Sequence, residues 1–556
     1  MPYRAPVQDI RFVLDSVVGF GQVAGTDTFA EATPETVDAI LTEAGKMAEE
    51  VLAPLNRQGD LHPARLENGV VRTSPGFGDG FGAIAEGGWI GMSADPEHGG
   101  MGLPITLTMA VNEMIGSACL SLQLNPLMTQ GQIEALEAHA SDEIKELYIP
   151  KLISGEWCGT MNLTEPQAGS DVGALKTKAV PNDDGTYAVT GQKIYISWGD
   201  NDFSENICHL VLARLPDAAE GTKGISLFMV PKKLPDENGN AGVANDLKVV
   251  SLEHKLGLHG SPTAVMQYDG AKGWLVGAPH KGMAAMFTMM NNARLGVGVQ
   301  GLSIAEAAMQ HAIGYALDRR QGKTATENGT ILDHADVRRM VLAMKAETFA
   351  VRAICMDTAV SLDMGKATGD AEWTARGAFL TPIAKAYGTD TGIKIASEGV
   401  QVHGGMGFVE ETGAAQYMRD VRVTAIYEGT NGIQAMDLVG RKLMDGGAAA
   451  YALLDEVAAF DHDGLRAAAA DLRALTAWMV TQDMQDRFAG SVAYLGAFAR
   501  VLGAWYHLKA GEADATRAPL TRFAVGRLLP EALAEMAKAR TGADELYGIS
   551  NEVIAA

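Results

Sequence analysis

One carboxylate in this chain lies where the neighbouring residues would suit a general base. Residues 425–434 read Ala-Ile-Tyr-Glu-Gly-Thr-Asn-Gly-Ile-Gln, which places Glu428 directly before a glycine. Glycine lets the backbone N–H approach a bound atom closely, and a carboxylate can accept a proton from that ligand. A glycine-rich segment, 403–408, lies just upstream. Taken alone, these residues favour a surface glutamate in a loop, so the hypothesis of a base depends on other motifs.

Three further patterns are weaker. Residues 296–301 match Gly-x-Gly-x-x-Gly, but a dinucleotide site requires a strand before this motif, and a Met-rich helical stretch precedes it here. Residues 403–407 are similar to an esterase oxyanion loop, but the chain has no Gly-x-Ser-x-Gly nucleophile motif. His254, His259 and His334 do not have the spacing of zinc ligands. We therefore expect no dinucleotide fold, no serine nucleophile and no metal site.

The composition limits the classes of partner. The 556 residues carry a net charge of −23, which argues against general binding to nucleic acids or to anionic membranes. The four cysteines lie far apart and form no Cys-x-x-Cys pair, as is typical of reduced thiols. The first residues lack the apolar region of a signal peptide, and no uninterrupted apolar run reaches about 18 residues. We expect a cytoplasmic protein without a membrane span.

The elements that position these residues follow from periodicity. Apolar residues recur at helical spacing over 37–52, where Pro54 is expected to end the helix, and again over 107–124. A short helix is expected to begin at Ser141 and to end before Pro150. Near residue 157 the residue pattern changes from helical to strand-like. Three short runs with strand-like composition, separated by turn residues, then predict a β-domain that reaches about residue 275: 187–197, 208–215 and 225–231.

Helical spacing returns after this β-domain and continues to the end of the chain. Three long helices are predicted over 304–320, 335–362 and 371–399. A further tail has helical patterns at 453–460, 465–480, 492–508 and 520–539. The sequence thus predicts a mostly α fold with a central β-domain. The expected divisions are 1–156 (N-terminal helical domain), 157–280 (middle β-domain), 281–443 (C-terminal helical bundle) and 444–556 (extra helical domain).

Six segments together resemble one enzyme family. Residues 161–172 read Met-Asn-Leu-Thr-Glu-Pro-Gln-Ala-Gly-Ser-Asp-Val, which closely resembles the Thr-Glu-Pro-x-Ala-Gly-Ser-Asp signature of flavin-dependent acyl-CoA dehydrogenases. Five more segments resemble motifs of the same family in the same order: 191–197, 255–263, Arg294 with 315–319, 401–407 and 427–430. Six motifs in order are far more specific than any one of them. The resemblance covers roughly residues 35–442.

The resemblance implies the family's fold and chemistry. The fold has an N-terminal helical domain, a β-barrel-like middle domain and a C-terminal four-helix bundle, with FAD bound between them. This chain adds a helical extension of about a hundred residues after the segment at 441–442. The implied reaction is the FAD-dependent α,β-dehydrogenation of an acyl-CoA thioester.

The cofactor residues are carried over by motif. Residues 161–164 are implied to line the flavin ring, with Thr164 near its polar edge, and Tyr195 and Ser197 to cover the other side. Family members often have Trp and Thr at the last two positions, so the stacking is expected to differ in detail. Across a dimer, Arg319 is implied to pair with the pyrophosphate of FAD, and Gln401 and Gly405 to contact its adenosine. Thr430 is implied to bind near the pyrophosphate. The full implied set is Met161, Asn162, Leu163, Thr164, Tyr195, Ser197, Arg319, Gln401, Gly405 and Thr430.

The substrate residues are carried over in the same way. The implied base is Glu428, and burial beside the flavin is expected to raise its pKa. Some branches of the family place the base immediately before the arginine that matches Arg294, but this chain has Ala293 there, which cannot accept a proton. A backbone N–H at Glu428 and a ribityl hydroxyl of the flavin are expected to polarise the thioester carbonyl. The implied substrate-binding residues are Ser170, Arg294, Tyr427 and Gly429.

The substrate is less well determined than the reaction. Segments 3–10 and 428–438 resemble the branch of longer chains that includes 3-(methylthio)propanoyl-CoA dehydrogenases of dimethylsulfoniopropionate breakdown. A general dehydrogenase of short- or medium-chain fatty acyl-CoA is an alternative. A DNA-binding flavoprotein of the alkylation response is a third, disfavoured by acidic residues in the tail such as Asp455, Asp461 and Asp471. The family implies electron-transfer flavoprotein as the electron acceptor, and the long tail implies a homodimer.

Overall fold

The structure is a computed structural model that describes residues 3–326 and 329–556. Met1 and Pro2 of the expected N-terminal domain, and Glu327 and Asn328 of the expected bundle, lie outside the described residues. The contacts divide the chain into two compact units. The helical unit comprises the described residues of Met1–Gly45, Pro104–Ser117 and Arg294–Ala556, and the β unit comprises Lys46–Leu103 and Ala118–Ala293. The four expected domain boundaries remain predictions.

The helices and strands are numbered here in chain order. The helices are α1 Val7–Ser16, α2 Gly21–Ala24, α3 Pro34–Met47, α4 Ala53–Leu61, α5 Phe77–Glu86, α6 Ile105–His139, α7 Asp142–Ile153, α8 Gly282–Asp318, α9 Ala335–Thr368, α10 Ala371–His403, α11 Ala414–Val421, α12 Asn431–Gly440, α13 Ala448–Ala458, α14 Asp463–Met479, α15 Met484–Ala513, α16 Ala518–Ala539, α17 Asp544–Tyr547 and α18 Asn551–Ala555. The strands are β1 Arg65–Glu67, β2 Val70–Arg72, β3 Trp157–Asn162, β4 Lys178–Pro181, β5 Tyr187–Ser197, β6 Asn206–Arg214, β7 Ile225–Pro231, β8 Lys233–Pro235, β9 Ala241–Ala244, β10 Leu247–Leu252 and β11 Thr263–Val276.

The main sheet of the β unit closes on itself. Its strand order is β10-β11-β5-β4-β6-β3, and β7 pairs with both β11 and β6, so that five strands form a ring. Alternate residues of these strands fill the interior, among them Val189, Phe228 and Tyr268, all of which are fully buried. Strand β3 lies outside the ring, parallel to β6. The strands predicted at 187–197 and 225–231 are confirmed, and that predicted at 208–215 is confirmed to within two residues.

Glycines set the distance between two long helices of the helical unit. A Cβ added at Gly298 of α8 would lie 2.7 Å from the carbonyl oxygen of Ala384 in α10, and one at Gly301 would lie 2.3 Å from that of Gly388. Only glycine allows these backbones to approach so closely. The Gly-x-Gly-x-x-Gly match therefore serves helix packing inside α8, in agreement with the expectation that it is not a dinucleotide site.

The C-terminal extension packs on the same bundle. The hydroxyl of Tyr506 in α15 donates to Asp357 in α9, which also pairs with Arg376 of α10. The rings of Phe498 in α15 and Phe379 in α10 pack at 5.0 Å between centroids. These buried contacts bind the extension to the two helices that carry much of the bundle. The helical tail predicted from residue 453 onward is confirmed.

Two proline-based predictions are wrong. Pro54 does not end the helix, because a π-helical turn at Ala48–Leu52 leads directly into α4. Pro54 lies in the first turn of α4, where its missing N–H costs no hydrogen bond. Helix α7 does not end before Pro150 but continues to Ile153. Burial of Leu152 and Ile153 compensates there for the hydrogen bond that the proline removes.

Two helices, α6 and α15, are long and apolar enough to cross a membrane by length and composition alone. Most of the apolar stretch of each is buried inside the protein, as in core helices. Within residues 3–326 and 329–556, the remaining helices do not meet this criterion.

Candidate active site

A strained turn in the helical unit carries the candidate base. It follows a 3₁₀ turn at Arg422–Ala425 and leads into α12. Glu428 and Gly429 both have left-handed backbone angles, with φ of 56° and 82°. The oxygen Oγ1 of Thr430 then caps α12 by accepting a hydrogen bond from the N–H of Ile433 at 3.2 Å. Glycine adopts this conformation readily, but a glutamate does so rarely, and such outliers concentrate at functional sites.

Side chains from two helices hold the carbonyl groups of this turn. Nε2 of Gln434 in α12 donates to the Glu428 carbonyl at 3.1 Å and lies 3.4 Å from the Gly429 carbonyl. Nζ of Lys385 in α10 donates to the same Gly429 carbonyl at 2.9 Å. A Cβ added at Gly429 would lie 2.8 Å from Nε2 of Gln434, so a side chain there would displace the amide that binds the turn. The turn is therefore fixed from both sides.

The carboxylate of Glu428 differs from its carbonyl in having no hydrogen-bond partner in the part of the chain that the structure describes. The side chain is half-buried, and burial raises its pKa to about 7, although the charges of Arg294 and Lys385 act in the opposite direction. The expected rise of this pKa is thus present in the structure. The backbone N–H groups of Glu428, Gly429 and Thr430 likewise have no acceptor among the described residues. A proton acceptor and three amide donors therefore lie within three residues.

Two predicted substrate residues support this turn. Arg294 is buried, and its Nη1 lies 3.5 Å from Asp437 of α12. The hydroxyl of Tyr427 donates to the side chain of Gln300 in α8. The structure thus brings Arg294, Tyr427 and Gly429 together with Glu428, as the sequence predicted, and their assignment to the CoA arm remains a prediction.

A second group of predicted residues lies at one end of the bundle. Arg319 follows the end of α8, Gln401 lies in the last turn of α10, and Gly405 lies in the 3₁₀ turn Gly404–Phe408 that follows; all three are exposed. The rings of Tyr315 and His403 pack at 4.5 Å and join the ends of these two helices. Phe408, close by in sequence, is 90% exposed. The three exposed positions thus lie at one end of the bundle.

The predicted flavin residues of the β unit are held against strand β5. The N–H of Ile194 donates to the Thr164 carbonyl at 3.0 Å, and Nζ of Lys193 donates to the Leu163 carbonyl at 2.9 Å. A bulge in β5 gives Tyr195 a φ of 60° and leaves its side chain 61% exposed. Within the described chain, the N–H and hydroxyl of Thr164 have no partner. A projecting aromatic ring beside free polar donors fits the face and the polar edge of a flavin.

A buried ion pair fixes this loop. Nζ of Lys193 lies 2.8 Å from Glu165, and both side chains are almost fully buried. Glu165 also accepts hydrogen bonds from the N–H groups of Lys176 and Thr177 at 2.7 and 3.0 Å. The sequence alone indicates no role for Glu165 or Lys193. The two residues lie in the motifs at 161–172 and 191–197, but nothing in the sequence shows that their side chains meet.

The remaining flavin and substrate positions differ in orientation. The side chain of Asn162 is fully buried and bonded to Thr160 and Tyr268, so only its backbone can contact a flavin. Ser197 is half-buried and lies two residues beyond Tyr195 in β5. Met161 is half-buried on the opposite face of β3 from Asn162, and Ser170 is exposed in the following loop.

Comparison with known proteins agrees with this geometry. Family profiles of acyl-CoA dehydrogenases match residues 34–156 (N-terminal domain), 160–271 (middle domain) and 280–444 (C-terminal domain). The chain is 48% identical to a 3-methylmercaptopropionyl-CoA dehydrogenase of Ruegeria pomeroyi, over 85% of this chain and 82% of that protein. It is 36% identical to a butyryl-CoA dehydrogenase of Syntrophomonas wolfei, over 79% of this chain and 75% of that protein.

One solved structure is similar over nearly the whole length. An acyl-CoA dehydrogenase of Bacillus anthracis complexed with FAD superposes with a TM-score of 0.75 at 21% identity, and the match covers 99% of this chain and 93% of that chain. The match therefore includes the C-terminal extension. The predicted family and fold are confirmed.

Proposed function

Because this chain belongs to the acyl-CoA dehydrogenase family, whose members depend on FAD, we propose that it oxidises 3-(methylthio)propanoyl-CoA to methylthioacryloyl-CoA. The observation that carries this proposal is the 48% identity to the Ruegeria pomeroyi protein, whose name gives that substrate in its older form. The reaction fits a step in dimethylsulfoniopropionate catabolism, where the same thioester arises.

Glu428 is the proposed proton acceptor. The Cα–H bond of the thioester breaks, the proton passes to the Glu428 carboxylate, and the electron pair forms the Cα=Cβ bond as hydride leaves Cβ. A base works best when its pKa lies near the operating pH, and burial brings the Glu428 pKa to about 7. Its carboxylate is free to accept the proton because its partners in the turn bind the backbone instead.

The turn also offers donors for the thioester oxygen. Removal of an α-proton places negative charge on that oxygen, and backbone N–H groups aimed at it stabilise the transition state. The N–H groups of residues 428–430, just before the positive end of α12, are unpartnered within residues 3–326 and 329–556. The proposed donor is the N–H of Glu428.

The β unit supplies the proposed flavin contacts. FAD, when bound, supplies the acceptor for the hydride that leaves Cβ. The backbone of residues 161–164 and the projecting ring of Tyr195 would hold the flavin, with the Thr164 hydroxyl at its polar edge. Lys193 and Glu165 keep this loop in place from beneath.

The chain is proposed to act as a homodimer. Arg319, Gln401 and Gly405 would bind the FAD of the partner subunit, which is consistent with their exposure at one end of the bundle. Light scattering should give about twice the chain mass of 58.7 kDa. A mass four times that of the chain would contradict the proposal.

Electron-transfer flavoprotein is the proposed electron acceptor, and the cytoplasm is the proposed location. The family supports the first, and the net charge of −23 with unpaired cysteines supports the second. Turnover should require added electron-transfer flavoprotein when oxygen is excluded.

The test of the substrate is anaerobic mixing of the purified FAD-bound protein with three thioesters. Bleaching of the flavin should be fastest with 3-(methylthio)propanoyl-CoA, compared with butanoyl-CoA and octanoyl-CoA. The 36% identity to a butyryl-CoA dehydrogenase supports a second candidate, a short-chain fatty acyl-CoA dehydrogenase. Equal or faster bleaching by butanoyl-CoA would favour that candidate. Bleaching by none of the three would contradict both.

A further inference from the structure

Lys385 is a buried cation to which the proposed mechanism gives no part. It lies in α10 with a fully buried side chain. Its Nζ donates to the Gly429 carbonyl at 2.9 Å and to Oδ1 of Asn431, the first residue of α12, at 2.8 Å. Lys385 therefore joins a bundle helix to the end of the Glu428 turn and to the start of the next helix.

The two acceptors show what this lysine fixes. The Gly429 carbonyl belongs to the second of two left-handed residues, a conformation that glutamate at the first position adopts only when its surroundings require it. Asn431 is itself held by Asp390, whose Oδ1 accepts from Nδ2 of Asn431 at 2.7 Å. With both carbonyl groups of the turn bound, its N–H groups are left to face a ligand.

In the part of the chain that the structure describes, no carboxylate accepts a hydrogen bond from Lys385. Both of its hydrogen-bond acceptors are neutral amide oxygens. Of the other charged groups around the turn, Asp437 pairs with Arg294 and Arg441, and Asp390 accepts a hydrogen bond from the neutral side chain of Asn431. The charged groups that face Glu428 or its neighbours are Arg294 from α8, Lys385 and Asp390 from α10, Asp437 from α12, and Arg441 and Lys442 just after α12.

We propose that Lys385 is a positioning residue for Glu428, which holds the turn through the Gly429 carbonyl and Asn431 and favours the carboxylate form of the base through its positive charge. The proposal rests on the proposed function, in which Glu428 accepts the proton. A neutral donor could hold the carbonyl equally well, but only a cation favours the ionised carboxylate. Lys385 therefore affects both the backbone conformation of the turn and the pKa of Glu428.

The experiment measures the rate of flavin bleaching by 3-(methylthio)propanoyl-CoA from pH 5.5 to 9 in FAD-bound variants. In Lys385→Met, the acidic limb of the curve of bleaching rate against pH should move to higher pH by about one unit. Such a shift corresponds to a tenfold change in the ionisation constant of Glu428. Lys385→Gln, which keeps a donor but removes the charge, should show the same shift with a smaller loss of the limiting rate. FAD content, measured from the flavin absorbance, should stay close to one per chain.

The matched control is Lys394→Met. Lys394 lies on the same helix, is partly exposed and pairs with Glu347, so its loss changes the net charge equally without reaching the turn. Its pH profile should equal that of the wild type.

The outcomes separate this proposal from the proposed function. A Lys385→Met protein that binds FAD and has the wild-type acidic limb would overturn the role of Lys385. If Lys385→Met does not retain FAD, the acidic limb of Lys385→Gln is compared with that of the wild type instead. Glu428→Gln is the reference: if it still reduces its flavin with substrate, Glu428 is not the base and the proposed function of the turn is wrong, whatever Lys385 does.

Discussion

Two loops of this protein are each held by a buried lysine next to a glutamate. In the β unit, Lys193 donates to the Leu163 carbonyl at 2.9 Å, and in the helical unit Lys385 donates to the Gly429 carbonyl at the same distance. Burial lowers the pKa of both lysines to about 8. The two glutamates nevertheless differ in every respect that matters for chemistry.

The difference lies in how many hydrogen bonds each carboxylate accepts. Burial alone would raise the pKa of Glu165, but Lys193 and the bonds from Thr177 and Lys176 lower it to about 2. Glu428 is raised to about 7, because in the described structure nothing donates to its carboxylate. A carboxylate that is saturated with donors is a structural anion, whereas a half-buried carboxylate without donors can exchange a proton near neutral pH.

The largest expected effect concerns catalysis. Glu428→Gln should keep FAD and lower the rate of flavin bleaching by substrate by roughly 10²–10⁴-fold, the usual contribution of a general base. Glu165→Gln is the matched substitution, and its FAD-bound fraction should bleach at close to the wild-type rate. An equal loss of rate in both variants would show that the contrast between the loops is wrong.

The second effect concerns stability, and here Glu165 is the sensitive residue. Glu165→Gln leaves Lys193 buried without its anion, which should lower the free energy of unfolding by about 3–5 kcal/mol. Because the pKa of Glu165 is lowered in the fold, this stabilisation is complete above pH 4.5 and is lost as the pH falls toward 2. Urea unfolding at pH 7 and at pH 3 measures it. A variant as stable as the wild type at pH 7 would refute the structural role.

A glycine in each loop sharpens the comparison further. Gly429→Ala places a Cβ on a left-handed residue 2.8 Å from Gln434 and should cost about 1–2 kcal/mol in unfolding free energy, with a slower bleaching rate. Gly169→Ala is the control, since its φ is not left-handed and no atom lies within 4 Å of the added Cβ. Its effect should stay within about 0.5 kcal/mol. Equal effects of the two substitutions in thermal unfolding would mean that the Glu428 turn is not strained.

The smallest expected effect is an increase in the free energy of unfolding, whereas substitution of Glu165 should lower it. The pKa of Glu428 is raised in the fold, so its ionisation opposes folding, increasingly as the pH rises from 4.5 through about 7. Glu428→Gln should therefore raise the unfolding free energy by about 1 kcal/mol at pH 8, as is common when a strained functional group is removed. Below pH 4.5 the gain should vanish. A loss of stability at pH 8 would indicate that Glu428 is structural after all.

Much of the fold and many candidate residues could be predicted from the sequence. Periodicity located β5, β7 and the starts of α9 and α10, because these patterns report which face of an element is buried, whereas both helices continue beyond their predicted ends. The motifs around Glu428 and Thr164 were recognisable as members of a set of six, although the residues around Glu428 taken alone favour a surface loop. The proline-based helix ends were wrong, since a π-helical turn at Ala48–Leu52 and the burial of Leu152 depend on packing rather than on local preference.

The sequence by itself therefore determined the family, the order of the elements and the residues of the two loops. Only the tertiary structure decided which buried glutamate is saturated with hydrogen bonds and which is left without them. The deciding donors come from distant positions: Lys193 is 28 residues from Glu165, and Lys385 reaches the carbonyl of Gly429 from 44 residues away. Propensity and periodicity describe neighbours along the chain, whereas a carboxylate's pKa depends on the charges and donors that folding brings around it.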